Sequence, residues 1–158
     1  MKQTSQSPKK KSVKPIPEGY HTVTPFLVVT QADLLLDFIK NAFNGEVTSR
    51  MLDDNGRVMH ATAKIGDSIV MIADAMEKFP PMQAMLYIYV DDVDATYNQA
   101  LKVKGVSIRV PTDEFYGDRS AGVTDPWNNQ WWIAAHVEDV DPKEMDKRRK
   151  EFEALQEA

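Results

Sequence analysis

"RSAGVTDPWNNQWWIAAH", residues 119–136, is the stretch that decides the fold, because an earlier stretch follows the same plan. A shift of 62 residues brings it onto "RVMHATAKIGDSIVMIAD" at 57–74, and the same shift brings "AMLYIYVDD" at 84–92 onto "TVTPFLVVT" at 22–30. All four stretches contain apolar or β-branched runs bounded by turn residues, which is typical of strands. The equal spacing predicts an internal structural repeat.

Each copy of the repeat is predicted to be a strand, a helix and three more strands. The first helix is expected over 30–43, with Thr30 and Asp33 at the spacing of a capping box, and the second over 92–102 with Asp92 as its cap. The strands are expected at 22–29, 46–52, 57–65, 68–74, 84–90, 106–110, 119–124 and 130–136. Pro25 favours an edge position for the first strand. The fold class is therefore α+β, made of two βαβββ units.

The rest of the chain flanks this doubled unit. Residues 1–18 are polar, lysine-rich and interrupted by proline, so we expect a disordered tail. One domain is expected at 19–140, built from repeats at about 19–74 and 84–137. Asp141, Pro142 and Glu144 begin a C-terminal helix that is expected to extend to residue 158.

Composition excludes several classes of function. The chain has no cysteine, which rules out disulfides, thiolate zinc sites and cysteine nucleophiles. Its net charge is −5, yet residues 1–16 hold five lysines and no acid, so the remainder carries −10 and a nucleic-acid partner is not expected. No apolar run has the length of a membrane span, and the start lacks the apolar segment of a secretory signal. A cytoplasmic protein without a membrane partner is expected.

The doubled βαβββ unit resembles the vicinal-oxygen-chelate superfamily, which includes glyoxalase I, extradiol dioxygenases, fosfomycin-modifying enzymes and bleomycin-binding proteins. The PhnB-like glyoxalase/bleomycin-resistance branch is the nearer likeness, over about Gly19 to Met145. The stretches that carry it are "GYHTVTPFLVV", "GRVMHATAKIGDSIVMIAD", "YVDDVDA", "FYGDR" and "DPWNNQWW..AHVEDV". The resemblance implies two half-sheets that enclose a cup, and a homodimer. It leaves the reaction open, because members share a fold more than an activity.

The resemblance also implies where a metal would be bound. Metalloenzymes of the superfamily line the cup with His, Gln or Glu at four positions, which correspond here to Val23, Met85, Trp132 and, through the shift of 62, Val70. These side chains offer no suitable nitrogen or oxygen donor, and a divalent ion needs three or more. We therefore expect neither a metal ion nor another cofactor. In the "DPWNN" turn, Asn128 stands where the pattern favours glycine, and asparagine tolerates the positive φ required there.

Strand alternation assigns different roles to the two adjacent tryptophans. Trp132 is expected to face the cup, while Trp131 faces the helices. The same alternation places Met85, Tyr87 and Tyr89 in the cup. From the first strand it adds Val23, Pro25 and Leu27. Such an apolar, aromatic lining suits a flat or hydrophobic small molecule, or else it fills the space as core.

The loop "FYGDR", residues 115–119, and the histidines are the other candidates. Arg119 is suited to bind an anion with Tyr116 as a second donor, or else Asp118 pairs with an arginine and holds the loop in place. His60 is the weak candidate for a catalytic base, or else a hydrogen-bonded structural residue. His21 is expected on the surface, and His136 in a capping or interface role.

The favoured function is a metal-independent small-molecule binding protein. Its ligand would lie between Trp132 and the side of the cup formed by Tyr87 and Tyr89. The alternatives are a metal-dependent lyase or dioxygenase-like enzyme that uses His60, and a structural or regulatory dimer whose cup is filled.

Overall fold

The computed structural model describes residues 13–156 and confirms the α+β class. Two βαβββ units follow one another and a helix ends the chain. The elements are β1 (Phe26–Val29), α1 (Ala32–Phe43), β2 (Glu46–Leu52), β3 (Val58–Ile65), β4 (Ser68–Asp74), β5 (Met85–Tyr89), α2 (Val93–Lys102), β6 (Val106–Asp113), β7 (Asp118–Thr124), β8 (Gln130–His136) and α3 (Pro142–Gln156). Within this described range no helix combines the length and the apolar character needed to cross a membrane.

Each unit forms its own four-stranded mixed sheet. The orders are β1-β4-β3-β2 and β5-β8-β7-β6, with the first strand of each unit parallel to the last. β1 is an edge strand, as Pro25 indicated. The sheets do not close on each other. Among the described residues, one isolated antiparallel bridge, Val28 to Met82, joins the edge of β1 to the segment before β5.

The repeat is real, but its spacing differs by one residue from the predicted 62. α1 begins at Ala32 and α2 at Val93, which is 61 residues later. The corresponding fully buried pairs are Ala61 opposite Ile72 in the first sheet and Ala121 opposite Ile133 in the second, so Ile133 follows Ile72 by 61 residues and Ala121 follows Ala61 by 60. A slip of one residue moves a side chain to the other face of a strand.

The slip makes two of the predicted cup positions wrong. Leu27 and Val70 lie in the hydrophobic core, on the face of the first sheet that is covered by the helices. Their neighbours Phe26 and Met71, which pair with each other, occupy the opposite face. We call the side of each sheet that points away from the helices its open face.

The start of α1 also differs from its prediction. Thr30 and Asp33 do not form a capping box: the cap position is Gln31, in the left-handed conformation at φ 59° and without a side-chain cap bond. The first helical N–H, that of Ala32, donates instead to the carboxylate of Asp74 at the end of β4, over 2.9 Å. The cap comes from 42 residues away in sequence, so no local pattern predicts it.

The "DPWNN" turn is a buried polar structure that joins β7 to β8. Each oxygen of the Asp125 carboxylate accepts two hydrogen bonds of 2.9 Å. One oxygen accepts from the backbone N–H groups of Trp127 and Asn129, and the other accepts from the side-chain amide of Asn129 and the indole of Trp131. Asn128 has a φ of 63°, as predicted. Trp131 is fully buried, with its ring centroid 4.7 Å from that of Phe43 in α1.

α3 lies on the surface and buries none of its residues. Asp141 accepts hydrogen bonds from the backbone N–H groups of Lys143 and Glu144, which confirms the predicted helix start. A bidentate contact between Arg148 and Glu138 holds the helix to the segment after β8. At the other end of the chain, residues 13–18 are exposed and irregular, whereas residues 1–12 of the expected tail lie outside the described residues.

Candidate functional site

The open face of the second sheet displays a continuous aromatic surface. Met85, Tyr87 and Tyr89 alternate along β5 and are 68%, 46% and 67% exposed. Trp132, which pairs with Tyr87 across the parallel ladder, is half-buried. The rings of Tyr87 and Tyr89 are in edge contact, with centroids 5.5 Å apart. Trp131 turns to the core, so the two tryptophans divide between the faces as alternation predicted.

Trp132 lies over a glycine of the neighbouring strand. A Cβ at Gly122 would come within 3.3 Å of the Trp132 ring, so the small residue gives the indole room to lie against β7. The indole N–H donates to the side chain of Gln130 over 3.3 Å. One side of the Trp132 ring therefore packs against β7, and the rest of the ring is exposed to solvent.

A buried carboxylate organises the polar end of this surface. Asp118 accepts hydrogen bonds from the Nδ1 of His136 at 2.8 Å and from the hydroxyl of Tyr89 at 3.4 Å. The Nε2 of His136 is 2.9 Å from the exposed carboxylate of Asp139. The histidine therefore stands between two acids. Sequence reasoning missed this site, although the local pattern contained both Asp118 and His136, because their cross-strand pairing depends on the length of the turn between β7 and β8.

The two acids and their neighbours set the charge of the cluster. Hydrogen bonds to Asp118 and then to Asp139 raise the pKa of His136, which favours the imidazolium. The negative charge of Asp118 raises the pKa of Tyr89, and burial together with a hydrogen bond to Tyr116 raises that of Tyr87. Both phenols therefore stay neutral at physiological pH, where they serve as donors.

The pH dependence of His136 tests this arrangement. We expect its titration midpoint, followed by the imidazole ¹H–¹³C signal in NMR, to lie above that of the same residue in the urea-unfolded chain. Because folding raises the pKa of His136, its bonds to the two acids stabilise the fold fully at a pH below the pKa of His136 in the unfolded chain. This stabilisation is lost as the pH rises through the pKa of His136 in the folded chain. Asp118→Asn is expected to lower the midpoint more than Asp139→Asn, since Asp118 is the larger cause. An unchanged midpoint in Asp118→Asn would contradict the pairing.

The loop "FYGDR" divides its residues between the two faces. Tyr116 lies beside Tyr87 at the aromatic surface. Arg119 lies on the helix side, where its guanidinium donates to both carboxylate oxygens of Asp94 in α2, at 2.6 and 2.9 Å, and to Asp113 at 2.8 Å. Asp94 and Asp113 therefore already hold the guanidinium that was predicted to bind an anion. Asp118 pairs with His136 and not with Arg119.

His60 lies on the open face of the first sheet, apart from the tyrosine cluster of the second. Its ring is in edge contact with Phe26, at 5.8 Å between centroids, and no carboxylate in the described residues bonds to it. On the same face, the hydroxyl of Thr62 lies 2.7 Å from those of Thr48 and Ser49. The geometry therefore gives His60 no acidic partner that would orient it as a catalytic base.

The side chains at the four expected metal positions do not fit a metal ion. Val70 faces the core, and Met71, its neighbour on the open face, offers only a thioether. Val23 precedes β1 and is exposed, while Met85 and Trp132 supply no nitrogen or oxygen ligand. Within residues 13–156, moreover, no three His, Asp or Glu side chains form a group that would hold a metal ion.

Comparisons with known proteins agree with this architecture. The sequence model of the Glyoxalase/Bleomycin resistance protein/Dioxygenase superfamily matches residues 20–133. The uncharacterized protein Rv0887c of Mycobacterium tuberculosis is 27% identical over 134 residues, covering 78% of this chain and 79% of that protein.

Two solved structures are similar in fold. TioX from Micromonospora sp. ML1 has a TM-score of 0.63 at 19% identity, covering 77% of this chain and 100% of that chain. The PhnB protein from Bacillus cereus has a TM-score of 0.57 at 18% identity, covering 73% of this chain and 99% of that chain. At such identities the likeness establishes the fold alone.

Proposed function

Because the chain belongs to the Glyoxalase/Bleomycin resistance protein/Dioxygenase superfamily, we propose that it binds a flat, largely apolar small molecule on the open face of its second sheet, without a resident metal ion. Members of such a fold family differ in chemistry, so the proposal rests on the site itself. The observation that carries it is the exposed aromatic surface formed by Met85, Tyr87, Tyr89 and Trp132.

This surface has the properties of a binding site for a planar ligand. Exposed apolar side chains in a continuous patch mark interaction sites more often than scattered ones do. Tyrosine and tryptophan offer large contact areas at a low entropic cost, because each has only two side-chain torsions. Covering such a surface with a ligand contributes about 25 cal/mol for each Å² of apolar area removed from water.

The polar end of the surface favours a neutral or cationic ligand. Two carboxylates, those of Asp118 and Asp139, bond to the one imidazole of His136, so acidic groups outnumber basic ones here. The guanidinium of Arg119 is already paired with Asp94 and Asp113, so it does not attract an anion to this surface. A ligand with a hydrogen-bond acceptor would instead meet the hydroxyls of Tyr87 and Tyr116.

A second copy of the chain would complete the site. Both sheets leave large apolar side chains exposed on or beside their edge strands, and a partner sheet would cover them. These residues are Val47, Met51, Leu52 and Met59 in the first sheet and Val106, Ile108 and Val110 in the second. We therefore propose a homodimer, acting in the cytoplasm, whose sheets together form the cup. Sedimentation velocity at micromolar concentration would show a monomer if this part of the proposal is wrong.

The substitution Trp132→Ala tests the binding role. We expect it to weaken the binding of proflavine, a flat aromatic cation, by about tenfold or more in isothermal titration calorimetry, because the indole is the largest aromatic ring of the site and is held in place against β7. Acridine-9-carboxylate, a flat anion, is expected to bind the open face, measured as the binding that Trp132→Ala removes, more weakly than proflavine does.

The matched control for this experiment is Trp127→Phe, which alters a tryptophan on the helix side and is expected to leave the affinity for proflavine within about twofold. The binding role is wrong if the unmodified chain does not bind proflavine and Trp132→Ala only lowers the stability of the fold.

Elemental mass spectrometry after incubation with Ni, Mn, Zn and Fe(II) tests whether the chain binds a metal ion. Near-stoichiometric retention of one metal would support the rival enzyme, a lyase or dioxygenase-like member, and His60→Ala would then test its base.

A further inference from the structure

A cleft on the helix side of the molecule lies apart from the aromatic open face. It is bounded by α1, by the end of α2 and by the turn between β7 and β8, and its volume is about 580 Å³. That volume lies within the range of small-molecule pockets. None of Met85, Tyr87, Tyr89 or Trp132 lines it. We propose that this cleft is a second binding site, which takes a flat aromatic molecule with one negative charge.

The aromatic wall of the cleft is Trp127, and it is held in place at two points. Its indole N–H donates to the backbone carbonyl of Thr30, and its backbone N–H donates to Asp125 over 2.9 Å. The ring is half-buried and stands between this cleft and a smaller cavity of about 290 Å³. A ring that is already fixed loses little entropy when a ligand stacks against it. The wall is therefore pre-organised to bind a planar ligand.

The opposite wall comes from one stripe of α1. Leu34, Phe38 and Asn41 follow one another at helical spacing along it. Leu34, in the first turn of α1, is 50% exposed, whereas the other two leucines of the helix, Leu35 and Leu36, are almost fully buried. A ligand that fills the cleft would cover Leu34 on one side and Trp127 on the other.

The charge at the mouth of the cleft indicates the sign of the ligand. Lys102 and Lys104 flank Val103 at the end of α2, and both are exposed. Neither ammonium lies within 4.0 Å of a carboxylate in the described residues, although the chain is acidic overall with a net charge of −5. Asp37 is the one acid that lines the cleft, so the local balance is a single positive charge. An aromatic monocarboxylate fits that balance.

The test uses 1-naphthoate as the anionic probe and 1-naphthalenemethanol as its neutral counterpart. The chain has three tryptophans, so its ¹H–¹⁵N spectrum has three indole signals, and Trp127→Phe identifies one of them. We expect 1-naphthoate to shift the Trp127 signal in a saturable manner at low salt. The dissociation constant is expected to rise about fivefold or more in Lys102→Gln/Lys104→Gln for naphthoate, and to stay within about twofold for the alcohol.

Two further variants separate this site from the open face. Leu34→Glu is expected to abolish naphthoate binding, because it removes apolar wall and adds a negative charge at an exposed position that the fold tolerates. Trp132→Ala is expected to leave naphthoate binding unchanged, so this inference stands or falls independently of the proposed function. Lys143→Gln/Lys147→Gln on α3 is the charge-matched control and is also expected to have no effect.

Three results would overturn the inference. The first is a Trp127 signal that does not move at about 10 mM naphthoate, a concentration at which even a weak site is occupied. The second is loss of binding in Trp132→Ala with full binding in Leu34→Glu, which would assign the ligand to the open face. The third is equal affinity for both probes, together with no effect of Lys102→Gln/Lys104→Gln, which would remove the role of charge.

Discussion

Replacing Asp125 with alanine is expected to lower the free energy of unfolding by about 3–5 kcal/mol, measured by urea denaturation. The carboxylate accepts four hydrogen bonds of 2.9 Å in the buried turn between β7 and β8. Its removal leaves the indole N–H of Trp131 and the side-chain amide of Asn129 without their acceptor, and both residues are fully buried. An unpaired buried donor costs about 1–3 kcal/mol.

The first unit offers a matched control. Asp67 occupies the turn between β3 and β4, which corresponds to the turn that contains Asp125, but it is exposed. Among the described residues, its carboxylate accepts a side-chain hydrogen bond only from the hydroxyl of Ser68. Asp67→Ala is therefore expected to change stability by less than about 0.5 kcal/mol. A loss below about 1 kcal/mol in Asp125→Ala would show that the buried donors find other partners. The carboxylates of Asp125 and Asp67 would then contribute more similar amounts to stability than their hydrogen bonds indicate.

Gly117→Ala is expected to cost about 3 kcal/mol or more, or to detach the segment that follows β8. Gly117 has a φ of 95°, and a Cβ there would overlap the carbonyl oxygen of Glu138. The segment would have to move away, which breaks the hydrogen bonds from the N–H groups of Val137 and Glu138 to the carbonyl of Gly117. Urea denaturation measures the total loss, and hydrogen exchange along α3 measures the local one.

Gly56→Ala separates the clash from the backbone strain. Gly56 also has a positive φ, 79°, but a Cβ there would meet nothing within 4 Å. Its substitution is expected to cost about 1 kcal/mol, the ordinary penalty for a side chain in the left-handed region. If the two variants lose equal stability, the packing of the 137–138 segment against the loop is not what makes glycine necessary at position 117.

Local pattern predicted most elements of the fold. β2, β4 and β8 have their predicted bounds, and α2 has its predicted cap, because Asp92 accepts from the backbone N–H of Ala95 within the same turn. Such features depend on neighbours in sequence. The start of α1 does not, since the donor at Ala32 is satisfied by Asp74 at the end of another strand.

The candidate site was predicted in part, for the same reason. Alternation along one strand is enough to separate Trp132 from Trp131, and it placed Tyr87 and Tyr89 on the same face as Trp132. The roles of Asp118 and Arg119 depend on which strand and which helix lie opposite, and here the local pattern was insufficient. Asp118 bonds to His136 across the ladder, and Arg119 bonds to Asp94 of α2.

The amino-acid sequence by itself determined the doubled βαβββ plan, the faces of β8 and the absence of nitrogen or oxygen ligands at Met85 and Trp132. These follow from residue type and from periods of two and 3.6 residues, which act over a few neighbours. Only the tertiary structure decided the true spacing of the repeat, and with it the faces of Leu27 and Val70. One residue of register is invisible in a sparse alignment, but it moves every side chain of a strand between core and solvent, and only packing distinguishes the two.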